Sequence, residues 1–295
     1  MKKTSPTILF FGTEDYSLIV LQRLVESGYS VGAVITKPDT PKGRGHKLTE
    51  PVVKTYALSH DIPVIQPTKL KDIISDIKNF DSPVGVLVAY GKIIPESIIE
   101  LFTPGIINVH PSLLPNYRGP SPVEAAILNR DKKTGVSIMQ LSKEMDAGPV
   151  YLQIPYALDF TETKPELYTT LFTIGANVLV DKLPAILAGS ITPEPQDDSR
   201  ATYCSLLSKA DSLLDPAAIT PGDAEAKVRA YLGFPRTRLT IGEHTIIVTK
   251  AHGVMTKKTP LDILCSNGAY LSIDELVAPS GKTMTADEFI RGYKL

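Results

Sequence analysis

Short, solid apolar runs alternate along the chain with longer stretches in which apolar positions recur every three or four residues. TILFF (7–11) and SVGAVIT (30–36) read as buried strands, and between them YSLIVLQRLVESG has helical spacing and stops at Gly28. This is a β-α-β unit. Further strands are predicted at IPVIQ (62–66), VGVLVAY (84–90), GIINVH (105–110) and TGVSIMQL (134–141). Between them lie EPVVKTYALSH, PESIIEL and SPVEAAILNR, each with a proline close to a first helical turn, where no backbone N–H is needed. Strands that alternate with helices predict an α/β fold with a Rossmann-like, mostly parallel sheet and helices on both faces.

A long helical segment, about 163–188, comes next. GSITPEPQDDSRATY (189–203), rich in Pro, Ser, Thr and Asp, then reads as a linker. Beyond it TRLTIGEHTIIVTKAHGV and LDILCSNGAYLSIDEL, with glycines between them, predict short strands in a small β-rich domain. The expected division is a first domain over 1–189, a linker over 190–206 and a second domain over 207–295.

Composition narrows the function classes. At 295 residues and 43% hydrophobic content the chain is long and apolar enough for real cores in about two domains. A net charge of -1 marks neither a nucleic-acid binder nor a membrane-surface protein by its total, and leaves a local basic patch open. The first apolar run ends at Gly12, too short for a signal peptide, and no uninterrupted run approaches the roughly 18 residues of a membrane span. A soluble, cytoplasmic protein with no membrane partner is expected. Cys204 and Cys265 are isolated, with no CxxC and no nearby histidine, so neither a metal site nor a disulfide framework is expected.

The first strand-to-helix turn, FFGTEDY, has one glycine where a dinucleotide fingerprint needs three, and the chain has no GxxxxGK[ST] and no GxSxG. The informative stretch is INVHPSLLPNYRG (107–119). Alternation along a strand puts Asn108 and His110 on the same side, and Pro111 makes a strand exit there, which is where open α/β sheets place ligands. A carboxamide and an imidazole can donate two hydrogen bonds to a developing oxyanion, while a carboxylate orients and charges the imidazole. Asp146, in KEMDAGPV beyond TGVSIMQL, is the candidate carboxylate, since both segments are expected to end at one sheet edge. The plain alternative is a satisfied strand-end histidine, an asparagine turn and a surface aspartate. His46, His60, His244 and His252 read as exposed or structural. Tyr117 and Arg118, in PNYRGPSP, either shape an entrance or pack the loop.

INVHPSLLPNYRG together with TGVSIMQLSKEMDAGPV resembles the catalytic core of the 10-formyltetrahydrofolate-dependent formyltransferases, in which an Asn-x-His-x-Ser-Leu-Leu-Pro segment is completed by a downstream aspartate. The resemblance implies that Asn108, His110 and Asp146 form the catalytic trio. It also implies a pocket for the co-substrate 10-formyltetrahydrofolate, lined by Ser112, Leu113, Leu114 and Pro115 and by the VAYGKIIP loop with Ala89, Tyr90 and Gly91; no metal is expected. KPDTPKGRGHKL (37–48), by composition a long flexible loop, resembles the insertion with which tRNA-directed members grip an acceptor stem, and Lys42, Arg44 and Lys47 are its expected contacts. This branch implies formyl transfer to the α-amino group of methionyl initiator tRNA, for translation initiation, by a monomer. The alternatives are a sugar-nucleotide N-formyltransferase, a folate-dependent formyl hydrolase and a non-enzymatic RNA-binding protein, which would need neither a folate pocket nor the trio. The C-terminal part is expected to be OB-like and tRNA-contacting. Its near-balance of acids and bases departs from the basic face this implies, and leaves Lys227, Arg229, Arg236, Arg238, Lys257 and Lys258 as candidate contacts.

Overall fold

The computed structural model describes residues 7–42 and 47–294. The chain divides into two compact units. The first comprises Met1–Pro120, Thr134–Tyr156 and Tyr168–Tyr203, and the second Ser121–Lys133, Ala157–Leu167 and Cys204–Leu295.

The strands of the first unit are β1 (Ile8–Gly12), β2 (Val31–Ile35), β3 (Thr40–Lys42), β4 (Lys47–Thr49), β5 (Val64–Ile65), β6 (Val84–Val88), β7 (Ile106–His110), β8 (Lys133–Gln140) and β9 (Val150–Ala157). Seven of them form one sheet in the order β5-β2-β1-β6-β7-β8-β9. The ladders from β5 to β7 are parallel, and β8 turns antiparallel against β7. Helices α1 (Ser17–Glu26), α2 (Val52–Ser59), α3 (Ile74–Lys78) and α4 (Glu96–Ile99) accompany the sheet. α5 (Pro122–Leu128) falls in the second unit, and α6 (Lys164–Leu187) belongs to the first from Tyr168 onward.

Alternation along β1 shows how both faces are covered. Ile8 and Phe10 share a core with Val20 and Leu24 of α1, Val53 of α2 and Phe172, Leu179 and Leu183 of α6. Leu9 and Phe11 share a second core with Ile77 of α3, Ile98 of α4 and Phe102. By length and composition α6 could cross a membrane. Here its apolar side chains fill the first of these cores.

Three features differ from the sequence reading. The segment 37–48 carries an antiparallel pair, β3 with β4, in place of an unstructured loop. β9 follows β8 where no strand is predicted. The segment expected as a linker is tied into the first unit as far as Tyr203, with Val150 and Glu194 exchanging backbone hydrogen bonds of 2.8 and 2.9 Å.

The second unit is strand-rich and mostly antiparallel. β10 (Thr237–Ile241), β11 (His244–Val254), β12 (Asp262–Leu264) and β13 (Tyr270–Val277) lie in the order β10-β11-β13-β12, and β14 (Thr283–Thr285) pairs with β13. α5 packs on α7 (Pro221–Ala230), whose first turn is capped by the Thr220 hydroxyl accepting from Asp223 N. α8 (Ala286–Gly292) opens on a reciprocal capping box between Thr285 and Glu288. Leu239, Ile246, Leu271 and Ile273 meet Val228 of α7 and Phe289 of α8 in the core.

Candidate active site

β7 is buried along its whole length, and Asn108 and His110 with it. Leu87 lies opposite Asn108 in the parallel ladder, so His110 stands at the carboxyl edge of the parallel strands. The third member arrives by a different route from the expected one. In the antiparallel β7–β8 pair Gln140 is opposite Ile107 and Ser137 opposite His110, so β8 exits at the other end of β7. The two segments therefore do not end at a common edge. Asp146 reaches the pair because residues 141–149 double back: Gln140 N donates to Pro149 O at 2.8 Å, and a Cβ on Gly148 would collide with Gln140 O. Asp146 takes up the left-handed backbone, φ 51°, at the bend.

The result is one carboxylate facing two donors. Asp146 Oδ1 lies 3.5 Å from Asn108 Nδ2, and Oδ2 lies 3.7 Å from His110 Nδ1. Oδ2 also accepts from Gly119 N at 2.8 Å. His110 Nε2 is 3.1 Å from Tyr117 O. A carbonyl can only accept, so Nε2 carries a proton and Nδ1 is the nitrogen turned toward the carboxylate. The loop holding Tyr117 O and Gly119 N is itself anchored by Arg118, whose side chain is only 2% exposed and bonds to Gln196, Asp198 and Tyr203. Burial opposes the guanidinium charge, but Asp198 and the Tyr203 hydroxyl hold its pKa above the usual value. Of the two readings of Arg118, its burial supports loop packing.

The residues expected to line a folate pocket divide by orientation. The Ser112 hydroxyl is buried and donates to Asn116 O at 2.6 Å, which pins the turn. Leu114 is buried, with its N–H donating to Ser137 Oγ at 3.1 Å and its carbonyl accepting from Gln153 Nε2 at 2.7 Å. Tyr90 packs edge-on against Phe11 with its hydroxyl buried and, among the described residues, without a hydrogen-bond partner, and burial pushes its pKa up to about 12. The open surface here is therefore that of Leu113, Pro115, Ala89 and Gly91, with the Ser112 and Tyr90 side chains buried. Gly91 is left-handed at φ 70°, a backbone that strains a residue carrying a Cβ.

Arg44 lies outside the described residues; of Lys42 and Lys47 the backbone is described, at opposite register positions of the β3–β4 pair. In the second unit Arg229 is buried, with Nε and Nη2 on the Glu225 carboxylate at 2.6 and 2.9 Å. Lys227 donates to Leu213 O at 2.6 Å, and burial lowers its pKa. Both are structural ties, whereas Arg236, Arg238, Lys257 and Lys258 are exposed. Among the described residues no group of three or more His, Cys, Asp or Glu is gathered to hold a metal ion.

Residues 7–183 match the sequence model of the Formyl transferase family. A methionyl-tRNA formyltransferase of Myxococcus xanthus is 36% identical over 98% of this chain and 96% of its own length. Another from Chloroflexus aurantiacus is 41% identical over 77% of this chain and 74% of its own. An N-formyltransferase from Helicobacter canadensis, solved in complex with folinic acid and dTDP-3-aminofucose, has the same fold at a TM-score of 0.70 and 15% identity, covering 92% of this chain and 99% of that one. The chain belongs to the formyl transferase family.

Proposed function

We propose that this enzyme transfers the formyl group of 10-formyltetrahydrofolate to the α-amino group of methionyl initiator tRNA. The observation that carries the reaction class is the convergence of the Asn108 amide and the His110 imidazole on the Asp146 carboxylate at the edge of the sheet. The choice of acceptor is supported by relatives named methionyl-tRNA formyltransferases at 36 and 41% identity, against 15% for the structural neighbour that holds an amino-sugar nucleotide. That neighbour's folinic acid supports a folate donor, which supplies an activated formyl group.

The acceptor amine, neutral near a pKa of roughly 7–8, attacks the formyl carbon, and negative charge grows on the formyl oxygen. Asn108 Nδ2 and His110 donate to that oxygen. His110 presents Nδ1, which can donate only when the ring is doubly protonated, because Nε2–H is already held by Tyr117 O. The gaps of 3.5 and 3.7 Å to Asp146 hold both donors loosely, which leaves them able to turn to the reacting oxygen. Asp146 orients the imidazole and accepts the proton that the amine sheds as its C–N bond forms. That proton leaves with the departing folate nitrogen, so no covalent enzyme intermediate is needed. The test is a radiolabelled formyl-transfer assay offering methionyl initiator tRNA and an amino-sugar nucleotide. Label on the tRNA alone is expected, and label on the sugar alone would overturn the assignment.

A further inference from the structure

We infer that Gln196 is a positioning residue of this reaction, and that residues 194–203 form a strap holding the Asp146 turn in its working geometry. The inference rests on the function proposed above. The strap bonds to both loops that build the trio. On one side Thr202 O accepts from Arg118 N at 2.9 Å, Thr202 Oγ1 accepts from Tyr117 N at 2.9 Å, and Thr202 N donates to Pro115 O at 3.1 Å. This is the loop whose Tyr117 carbonyl holds His110 and whose Gly119 N–H holds Asp146. On the other side Glu194 pairs with Val150, just beyond the Asp146 turn.

Gln196 connects the two sides. Its Oε1 accepts from Arg118 Nε at 3.0 Å and from Nη2 at 2.9 Å. Its Nε2 donates to Asp146 O at 2.8 Å and to Gly148 O at 2.7 Å. The orientation of the amide is unambiguous, since a flip would set its oxygen against two carbonyls and its NH2 against a guanidinium. Both N–H bonds fall on the turn in which Asp146 adopts a left-handed backbone, and so they fix the bend that carries its side chain. Gln196 bonds to the main chain of Asp146, not to its carboxylate, and so acts on the reaction through the placement of that side chain. Displacing a reacting group by about 1 Å can cost on the order of 10²-fold in rate.

Gln196→Glu separates the two halves of this contact. The carboxylate still accepts from Arg118 but has no N–H for Asp146 O and Gly148 O. We expect kcat to fall by about 10- to 100-fold and the KM for each substrate to stay within about threefold, with any fall in melting temperature, from the carboxylate oxygen now facing two carbonyls, leaving the enzyme folded at the assay temperature because the Arg118 anchor is kept. In an Asp146→Asn background the same change should cost less than about threefold, since the group it positions has already lost its charge. Turnover within twofold of wild type, a raised KM at unchanged kcat, or a full multiplicative loss on top of Asp146→Asn would each overturn the proposal. So would a kcat loss that a lower assay temperature restores, which marks a purely structural role. Wild-type enzyme assayed alongside keeps the two readings apart. Inactivity of wild type on methionyl-tRNA would sink the assigned function and this proposal with it, whereas active wild type with an unaffected variant would sink the strap alone.

Discussion

Asn108 is buried, yet its amide approaches Asp146 only to 3.5 Å, the outer limit of a hydrogen bond. Its donor strength is therefore available to a charge that exists only during the reaction. Asn108→Ala should lower kcat by about 10² to 10³, the usual loss for one oxyanion donor, with the KM for folate almost unchanged. Steady-state kinetics that show near-normal turnover would remove Asn108 from the mechanism. Asp146→Asn keeps the shape of the side chain but removes the charge facing His110 Nδ1 and the acceptor for the amine proton. It should cost about 10² to 10⁴ in kcat with the fold intact by circular dichroism; a variant that turns over normally but melts early would make Asp146 structural. That Asn108 and His110 share one face was legible from strand alternation alone, whereas Asp146 was singled out by a common sheet edge that the antiparallel β8 does not provide, and by the resemblance. Gln196 was not. It sits among prolines and acids that read as solvated chain, and its partners Asp146 and Arg118 are 50 and 78 positions away.

At the scale of elements, the carboxylate of Asp262 in β12 ties together a corner of the second unit. It is 3% exposed and accepts from Lys258 N at 2.7 Å, Thr259 N at 2.8 Å, Thr259 Oγ1 at 3.0 Å and Ser272 Oγ at 2.7 Å. Burial pushes its pKa up, but these four donors outweigh burial and lower it to about 2. A folded pKa below the unfolded one means stabilisation that is complete above about pH 4 and is lost as pH falls toward 2. From that shift the contribution is ~2 kcal/mol at neutral pH. Asp262→Asn, which turns an NH2 toward donors, should lower stability by about that amount, and its urea midpoint should change less than the wild type's between pH 4 and pH 2. Wild-type stability of the variant at pH 7 would show that the cage contributes nothing. Elements whose apolar pattern is regular, such as β1, α1, β2 and α6, were readable in advance. α7, PGDAEAKVRA, is mostly small and charged and offers no apolar period to read. The direction of β8 was hidden for another reason: a strand buried on both faces has the same pattern either way, and the helical segment before it predicted a parallel crossover.

For the whole molecule, 31 basic and 32 acidic residues leave a net charge of -1, so attraction to a polyanion as large as tRNA has to be local. The segment 37–48 is the proposed place. Its single acid, Asp39, is already engaged by Lys54 Nζ and Gln66 Nε2, both at 2.7 Å, and so does not neutralise the segment's cations. The β3–β4 register pairs Lys42 with Lys47. Arg44 lies between the two strands in sequence, flanked by Gly43 and Gly45. A guanidinium there can fork onto a phosphate or a guanine edge, which an ammonium cannot reproduce. Arg44→Ala should therefore lower kcat/KM for methionyl-tRNA by about 10- to 100-fold, with Arg44→Lys intermediate. The loss should shrink toward nothing with a methionine ester, which is too small to reach the segment and still meets an intact trio. If the contact is to phosphate, the slope of log affinity against log salt should also become shallower by just under one unit, roughly the share of one released counterion. Equal losses on the tRNA and on the ester would show that the segment supports the active site itself, and its role in gripping tRNA would then have to be given up.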